Sequence, residues 1–124
     1  MPEHKRVTIS AKEEFLKHIE GKPPLKCAAI CNYDEDGAIY SYTHKDKTEA
    51  LLPPNYLQEE YQKFLDLLDF QYYNGFGCQE LYGVIWYQDG TWSERHEYVG
   101  AEDWRYKKCP EFPNKIDIKG DSYA

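Results

Sequence analysis

Gln79–Trp104 reads QELYGVIWYQDGTWSERHEYVGAEDW, with Asp89-Gly90 between two runs of β-favouring residues. A two-residue Asp-Gly loop is the strongest short-range hairpin cue, because a type I′ turn needs φ > 0 at both central positions. With Gln88 opposite Thr91, the pleat sets Tyr82, Val84 and Trp86 across from Glu97, Arg95 and Ser93 on one face. The other face then carries Leu81, Ile85 and Tyr87 across from Tyr98, Glu94 and Trp92. A solvated sheet face alternates cleanly to polar residues, and neither of these faces is purely polar. The ribbon is expected to pack one face on the domain core and to offer the other to a partner, a second subunit or a ligand. The alternative is that both faces are covered within the monomer.

Outward from this hairpin, Ser10-Ala11-Lys12-Glu13 is a capping box, and Phe15, Leu16 and Ile19 form the apolar stripe of a short helix stopped by Gly21, Pro23 and Pro24. Leu25 to Tyr33 reads as a strand, 34–37 as a turn and Ala38 to His44 as the returning strand, which sets Cys31 across from Tyr40 and Ala29 across from Tyr42. Residues 45–53 read as a connecting loop. Asn55 is placed to cap a second helix, in which Leu57, Tyr61, Phe64, Leu65 and Leu68 recur at helical spacing. Tyr72 to Gly77 reads as a turn, and the chain after Gly100 as irregular. The order α-β-β-α-β-β is that of an α+β fold, a small antiparallel β-sheet of two hairpins with two helices. Residues 1–124 are expected to form a single domain, with a flexible or subunit-spanning tail beyond about Lys115.

The chain carries 15 Lys+Arg against 22 Asp+Glu, a net charge of -7. That balance argues against duplex nucleic acid, which is bound through a basic face that displaces counterions. The acidic groups at Asp34-Glu35-Asp36, Glu59-Glu60, Asp66 and Asp69 read as solvated turns and helix faces, with nucleic-acid mimicry as the sharper alternative. No apolar run approaches the ~20 residues that span a bilayer, and the N-terminus has no signal-peptide core. The expectation is no membrane association and a cytoplasmic location. Cys27, Cys31, Cys78 and Cys109 fit reduced thiols without an export signal; Cys27 and Cys31 stand two pleats apart, poor spacing for one zinc ion. No metal and no cofactor are expected.

Candidate acids, bases and nucleophiles are scattered. His4, His18 and His44 lack partner spacing, and His96 shares a strand face with Glu94 but not with Glu97. No nucleophile elbow, P-loop, dinucleotide fingerprint or HExxH helix is present, and Asn74-Gly75-Phe76-Gly77 is too short to stand as a phosphate-binding motif. The chain does not read as an enzyme. A binding reading uses what it has, because aromatic rings stack on planar bases and a neighbouring arginine holds phosphate by paired hydrogen bonds. Tyr82, Trp86 and Arg95 share a face in the register above, and Trp104, Arg105 and Tyr106 follow. Against this, Trp86 and Trp92 also suit core anchors, and Arg95 suits a bridge to Glu97 or Glu80.

Residues 68–113, LDFQYYNGFGCQELYGVIWYQDGTWSERHEYVGAEDWRYKKCPEFP, resemble a pattern of small phage and prophage proteins: LDF, a Gly-rich aromatic loop, G-x-I-W, D-G-T-W, an Arg, E-Y and a Trp before C-P. Within that group the segment looks most like the Thoeris anti-defence sponge proteins. These sequester cyclic ADP-ribose-type immune signals and, in some members, cyclic oligonucleotides. The resemblance implies a homodimer or higher homo-oligomer in the host cell cytoplasm that evades immunity by holding a signalling nucleotide without cleaving it. The ligand-binding candidates, assigned from chemistry, are Tyr82, Trp86, Trp92, Arg95, Trp104 and Arg105, with Lys107 and Lys108 as further cations. The alternative function is a small acidic protein-interaction inhibitor of a host defence complex. A sponge needs an enclosed aromatic pocket containing a cation, whereas an inhibitor needs an exposed patch without enclosure. An enzyme that degrades the signal would need His96 with Glu94 or Glu97.

Overall fold

The Ser10 hydroxyl accepts from the backbone N–H of Glu13 at 3.2 Å and opens α1 (Ala11–Ile19), whose Phe15 is fully buried. The computed structural model describes residues 7–75 and 77–112, so the expected tail beyond about Lys115 lies outside the described residues. Along the chain lie β1 (Ile9–Ser10), α1, β2 (Leu25–Cys31), β3 (Glu49–Leu52), α2 (Gln58–Leu67), β4 (Gln71–Tyr72), β5 (Tyr82–Tyr87), β6 (Trp92–Tyr98) and β7 (Ala101–Lys107). The fold is α+β. Five strands form an antiparallel sheet in the order β3-β2-β5-β6-β7, and β1 pairs separately with β4.

Both helices press on the same side of the large sheet. Phe15 of α1 and Phe64 of α2 meet edge to face at 5.2 Å, and with Leu65 and Leu68 they cover Ala28, Ile30, Ala50, Leu52, Ile85, Tyr87 and Trp104. These sheet residues recur at every second position on their strands, which is the alternation that a one-sided core requires. No helix among the described residues is long and apolar enough to cross a membrane.

The Asp89-Gly90 hairpin forms, but with a different register. Val84 pairs with Glu94, Ile85 with Ser93 and Trp86 with Trp92. Tyr87 N–H donates to Thr91 O at 2.9 Å, which encloses three residues, Gln88, Asp89 and Gly90. Only Gly90 takes a positive φ, 89°, and the Asp89 carboxylate accepts from Thr91 N–H at 3.0 Å. A three-residue loop with one left-handed glycine replaces the two-residue type I′ turn. The one-residue slip moves every side chain of β6 to the opposite face. Arg95 and Ser93 therefore lie with Ile85, not with Tyr82 and Trp86. A two-residue turn with both φ positive occurs one hairpin later, at Val99 (φ 50°) and Gly100 (φ 84°), between β6 and β7. The chain after Gly100 is thus a seven-residue strand rather than irregular.

The other hairpin is also corrected. The turn at 34–37 forms, with Gly37 N–H donating to Asp34 O at 2.9 Å, but residues 38–44 do not return as a strand. The partner of β2 is β3, so Cys31 faces Glu49 and Ala29 faces Leu51. Asn32 closes the long connection: its Nδ2 donates to Asp46 O at 2.8 Å, and its Oδ1 accepts from Thr48 N–H at 2.7 Å. Tyr72 belongs to β4 rather than to a turn. Asn55 holds φ 60° ahead of α2 and is not its cap; the Glu60 carboxylate accepts from the Leu57 N–H at 2.8 Å instead.

Candidate functional site

The face of the large sheet turned away from the helices bears no covering element among the described residues. Its rows follow from the register: Glu49, Cys31, Tyr82, then His96 and Asp103; Leu51, Ala29, Val84, Glu94 and Arg105; Cys27, Trp86, Trp92 and Lys107. Leu51 is 58% exposed and Trp86 40%, so apolar surface that a core would take stays in contact with water. Along β2 the outward residues are small, Cys27, Ala29 and Cys31, while β3 and β5 on either side carry Leu51, Tyr82 and Val84. The height difference makes a trough of about 300 Å³ walled by Tyr33, Glu49, Leu51 and Tyr82. The Tyr33 hydroxyl donates to the Glu49 carboxylate, which pushes the phenol up to about 12.

Of the six predicted contacts, four meet on this face: Tyr82, Trp86, Trp92 and Arg105. Arg105 shares its charge with Asp103, 2.8 Å away, and Lys107 lies 3.9 Å from Glu94. Burial is the main cause that pushes the Tyr82 phenol up to about 12, with the carboxylate of Asp34 next.

Arg95 and Trp104 lie on the inner face and do not join them. The Arg95 side chain is 2% exposed; Nη1 donates to Glu14 at 3.0 Å, Nε donates to Glu102 at 3.0 Å, and Nη2 donates to the Tyr72 hydroxyl, which in turn donates to Glu14. Burial opposes the guanidinium charge, but Tyr72, Glu14 and Glu102 outweigh it and raise the pKa. Burial pushes the Glu102 carboxyl up against the pull of Arg95 and the backbone N–H groups of Glu80 and Leu81. The Trp104 ring lies 5.0 Å from the guanidinium carbon. Arg95 thus bridges neither Glu97 nor Glu80. It ties α1 and β4 to the sheet, with its donors engaged by the protein rather than turned to a ligand.

A hydroxyl–imidazole pair also sits on the inner face. His18 Nε2 and Ser93 Oγ are 2.7 Å apart, and Ser93 Oγ is 2.8 Å from the Tyr87 hydroxyl. The spacing matches a nucleophile and its base, but Ser93 is fully buried and closed to substrate. Burial, then Lys22 and Arg95, pulls the His18 pKa down to about 4. His96, on the outer face with Glu94, lies 3.8 Å from Asp103. Among the described residues no three His, Cys, Asp or Glu side chains converge as a metal site.

Tyr33, Glu49 and Leu51 were not predicted as site residues. Glu49-Ala50-Leu51-Leu52 alternates exposed and buried only in the structure; in sequence its three consecutive apolar residues carry no strand alternation, so nothing there marked Leu51 as outward-facing. No family model, curated protein or solved structure matches the chain.

Proposed function

We propose that the protein is a binding protein without catalytic activity, one that sequesters a cyclic ADP-ribose-type nucleotide or a cyclic oligonucleotide on the open face of its sheet. The observation that carries the reading is the shared row of Trp86, Trp92 and Lys107 beside Arg105 on that face. An adenine stacked on the Trp92 indole places its phosphates one strand away, about 5 Å, toward the two cations of β7, whereas one stacked on Trp86 lies two strands, about 10 Å, from them. Tyr82 extends the stacking surface. Arg95 and Trp104 serve this face from beneath, by fixing β6 and β7, rather than by touching ligand. Enclosure of the nucleotide comes from a second copy of the chain, in a homodimer or higher homo-oligomer, in the cytoplasm of a phage-infected host, as the resemblance implies.

Thermal shift with cyclic ADP-ribose isomers and cyclic di- and trinucleotides, followed by recovery of the ligand, tests the reading. A rise in melting temperature with intact ligand, lost in Trp92→Ala and Arg105→Ala, supports it. Altered ligand would instead indicate an enzyme, and no shift would remove the nucleotide.

A second reading, an acidic inhibitor that docks on a host protein, has its own support. The aromatic face is open rather than enclosed, and its β3 side is acidic, with Glu49 in the row and the Asp34-Glu35-Asp36 turn beyond it.

A further inference from the structure

The trough along β2 has a chemistry distinct from that of the Trp86–Trp92 row. Its floor is Ala29 and Val84, its walls are the rings of Tyr33 and Tyr82 with Leu51, and a carboxylate, Glu49, stands at its rim. The strands of its floor approach closely, since a Cβ on Gly83 would fall 2.3 Å from the carbonyl oxygen of Ala29. The cations of the face lie on the far edge: Arg105 and Lys107 belong to β7, two strands and about 10 Å from Tyr82. Nearby charge is mixed, with the carboxylates of Glu49 and Asp34 and the Lys47 ammonium beside Tyr33. Asp34 is held in the adjoining turn by the N–H groups of Asp36 and Ala38, at 3.0 and 2.8 Å, and it is the largest cause of the upward shift of the Tyr40 phenol.

Two aromatic walls and a carboxylate in an apolar trough are the components that recognise an ammonium or guanidinium group, through ring quadrupoles and a counter-charge. The chain supplies an example at the same ring, where Lys47 Nζ lies 4.5 Å from the centroid of Tyr33. Lys47 does not line the trough. A volume of about 300 Å³ accommodates the alkyl stem of a long basic side chain lying along β2. Glu49 is the charged residue among those lining the trough, so an anionic ligand would meet a carboxylate there.

We infer that the groove between Tyr33 and Tyr82 receives a lysine or arginine side chain of a protein partner, with Glu49 as its counter-ion. The class of partner rests on the second reading above; the groove itself is tested without any partner, so failure of the groove and absence of a host target are separate results.

The test is an amide NMR titration of the full chain with the capped peptide Gly-Gly-Lys-Gly-Gly, its arginine counterpart and its norleucine counterpart. The expected result is saturable shifts of Leu51, Tyr82 and Val84 with the lysine or arginine peptide, and at least tenfold weaker binding of norleucine. Glu49→Gln should weaken the cationic peptides about tenfold while leaving the dispersion of the spectrum unchanged, and Tyr82→Leu should weaken them independently. Equal binding of norleucine would make the groove merely apolar. Shifts confined to the 34–37 turn, or none, would overturn the proposal as well.

Discussion

Arg95 on β6 and Glu102 on β7 meet at 2.9 Å with 2% and 1% of their side chains exposed. They are a buried pair, not a surface one. Glu14 and Tyr72 complete the network, so one arginine joins α1, β4, β6 and β7. Removing one partner of a buried ion pair leaves an uncompensated charge, at a cost of about 3–5 kcal/mol. Arg95→Ala should therefore destabilise the fold by about that amount in urea denaturation. The sequence offers Arg95 as a ligand contact, a role whose loss would spare the fold. An unchanged denaturation midpoint would show that the network contributes nothing.

His18 makes stability depend on pH. Its folded value is about 4 against an ordinary 6.5, because burial and then Lys22 and Arg95 disfavour the imidazolium. Between those values the unfolded chain binds a proton that the folded chain does not, so stability falls as pH drops through 6.5 toward 4 and this contribution stops changing below about 4. It is fully present above 6.5. His18→Gln should flatten that part of a melting-temperature profile between pH 7.5 and 4, while the carboxylate contributions remain. An identical profile in the variant would remove His18 as the cause.

Val99 holds φ 50° in the turn that joins β6 and β7, a region that a β-branched residue strongly resists. Its side chain is 82% exposed, so little packing offsets the strain. Val99→Asn should raise stability by about 1 kcal/mol, measured by the shift of the urea midpoint at constant slope. A loss of stability would mean that Val99 packs on something in the assembled protein.

How far this fold could be read from sequence is decided at the turns. Asp89-Gly90 announced its hairpin correctly, yet Asp-Gly fits a two-residue loop and, with Gln88, a three-residue loop equally well. The choice between them decides which face every later side chain occupies. Arg95 was thereby assigned to the aromatic face, and Trp92 was placed opposite Tyr87 instead of Trp86. The real two-residue turn at Val99-Gly100 was missed because valine is a poor candidate for positive φ, and β7 was lost with it. The Ser10 cap of α1, through its bond from the Glu13 N–H, and the stripe of Phe64, Leu65 and Leu68 needed only local spacing, and both are found. The β2 partner did not, since Tyr40 and Tyr42 look more like strand residues than Glu49-Ala50-Leu51-Leu52 does. The Asn32 bonds that bring the latter into place span 14 and 16 residues.

The three tryptophans should separate stability from binding. Trp104 is 6% exposed and packs with the core and against Arg95, whereas Trp86 is 40% exposed on the uncovered face, in register with Trp92. A large-to-small change in a core costs about 3–5 kcal/mol for tryptophan, because the transfer term and the cavity term add. Trp104→Ala should cost that much, and Trp86→Ala less, about 1–2 kcal/mol, since its ring is part-exposed and its loss leaves no closed cavity. In the nucleotide thermal-shift assay the order inverts. Trp86→Ala and Trp92→Ala should remove the ligand-dependent rise, whereas Trp104→Phe, which keeps most of the ring volume, should retain it. If Trp86→Ala and Trp92→Ala destabilise the chain as much as Trp104→Ala, the outer face is covered in the assembled protein and its rings are core, not receptor. If they are silent in both measurements, the ligand is not held by the Trp86–Trp92 row.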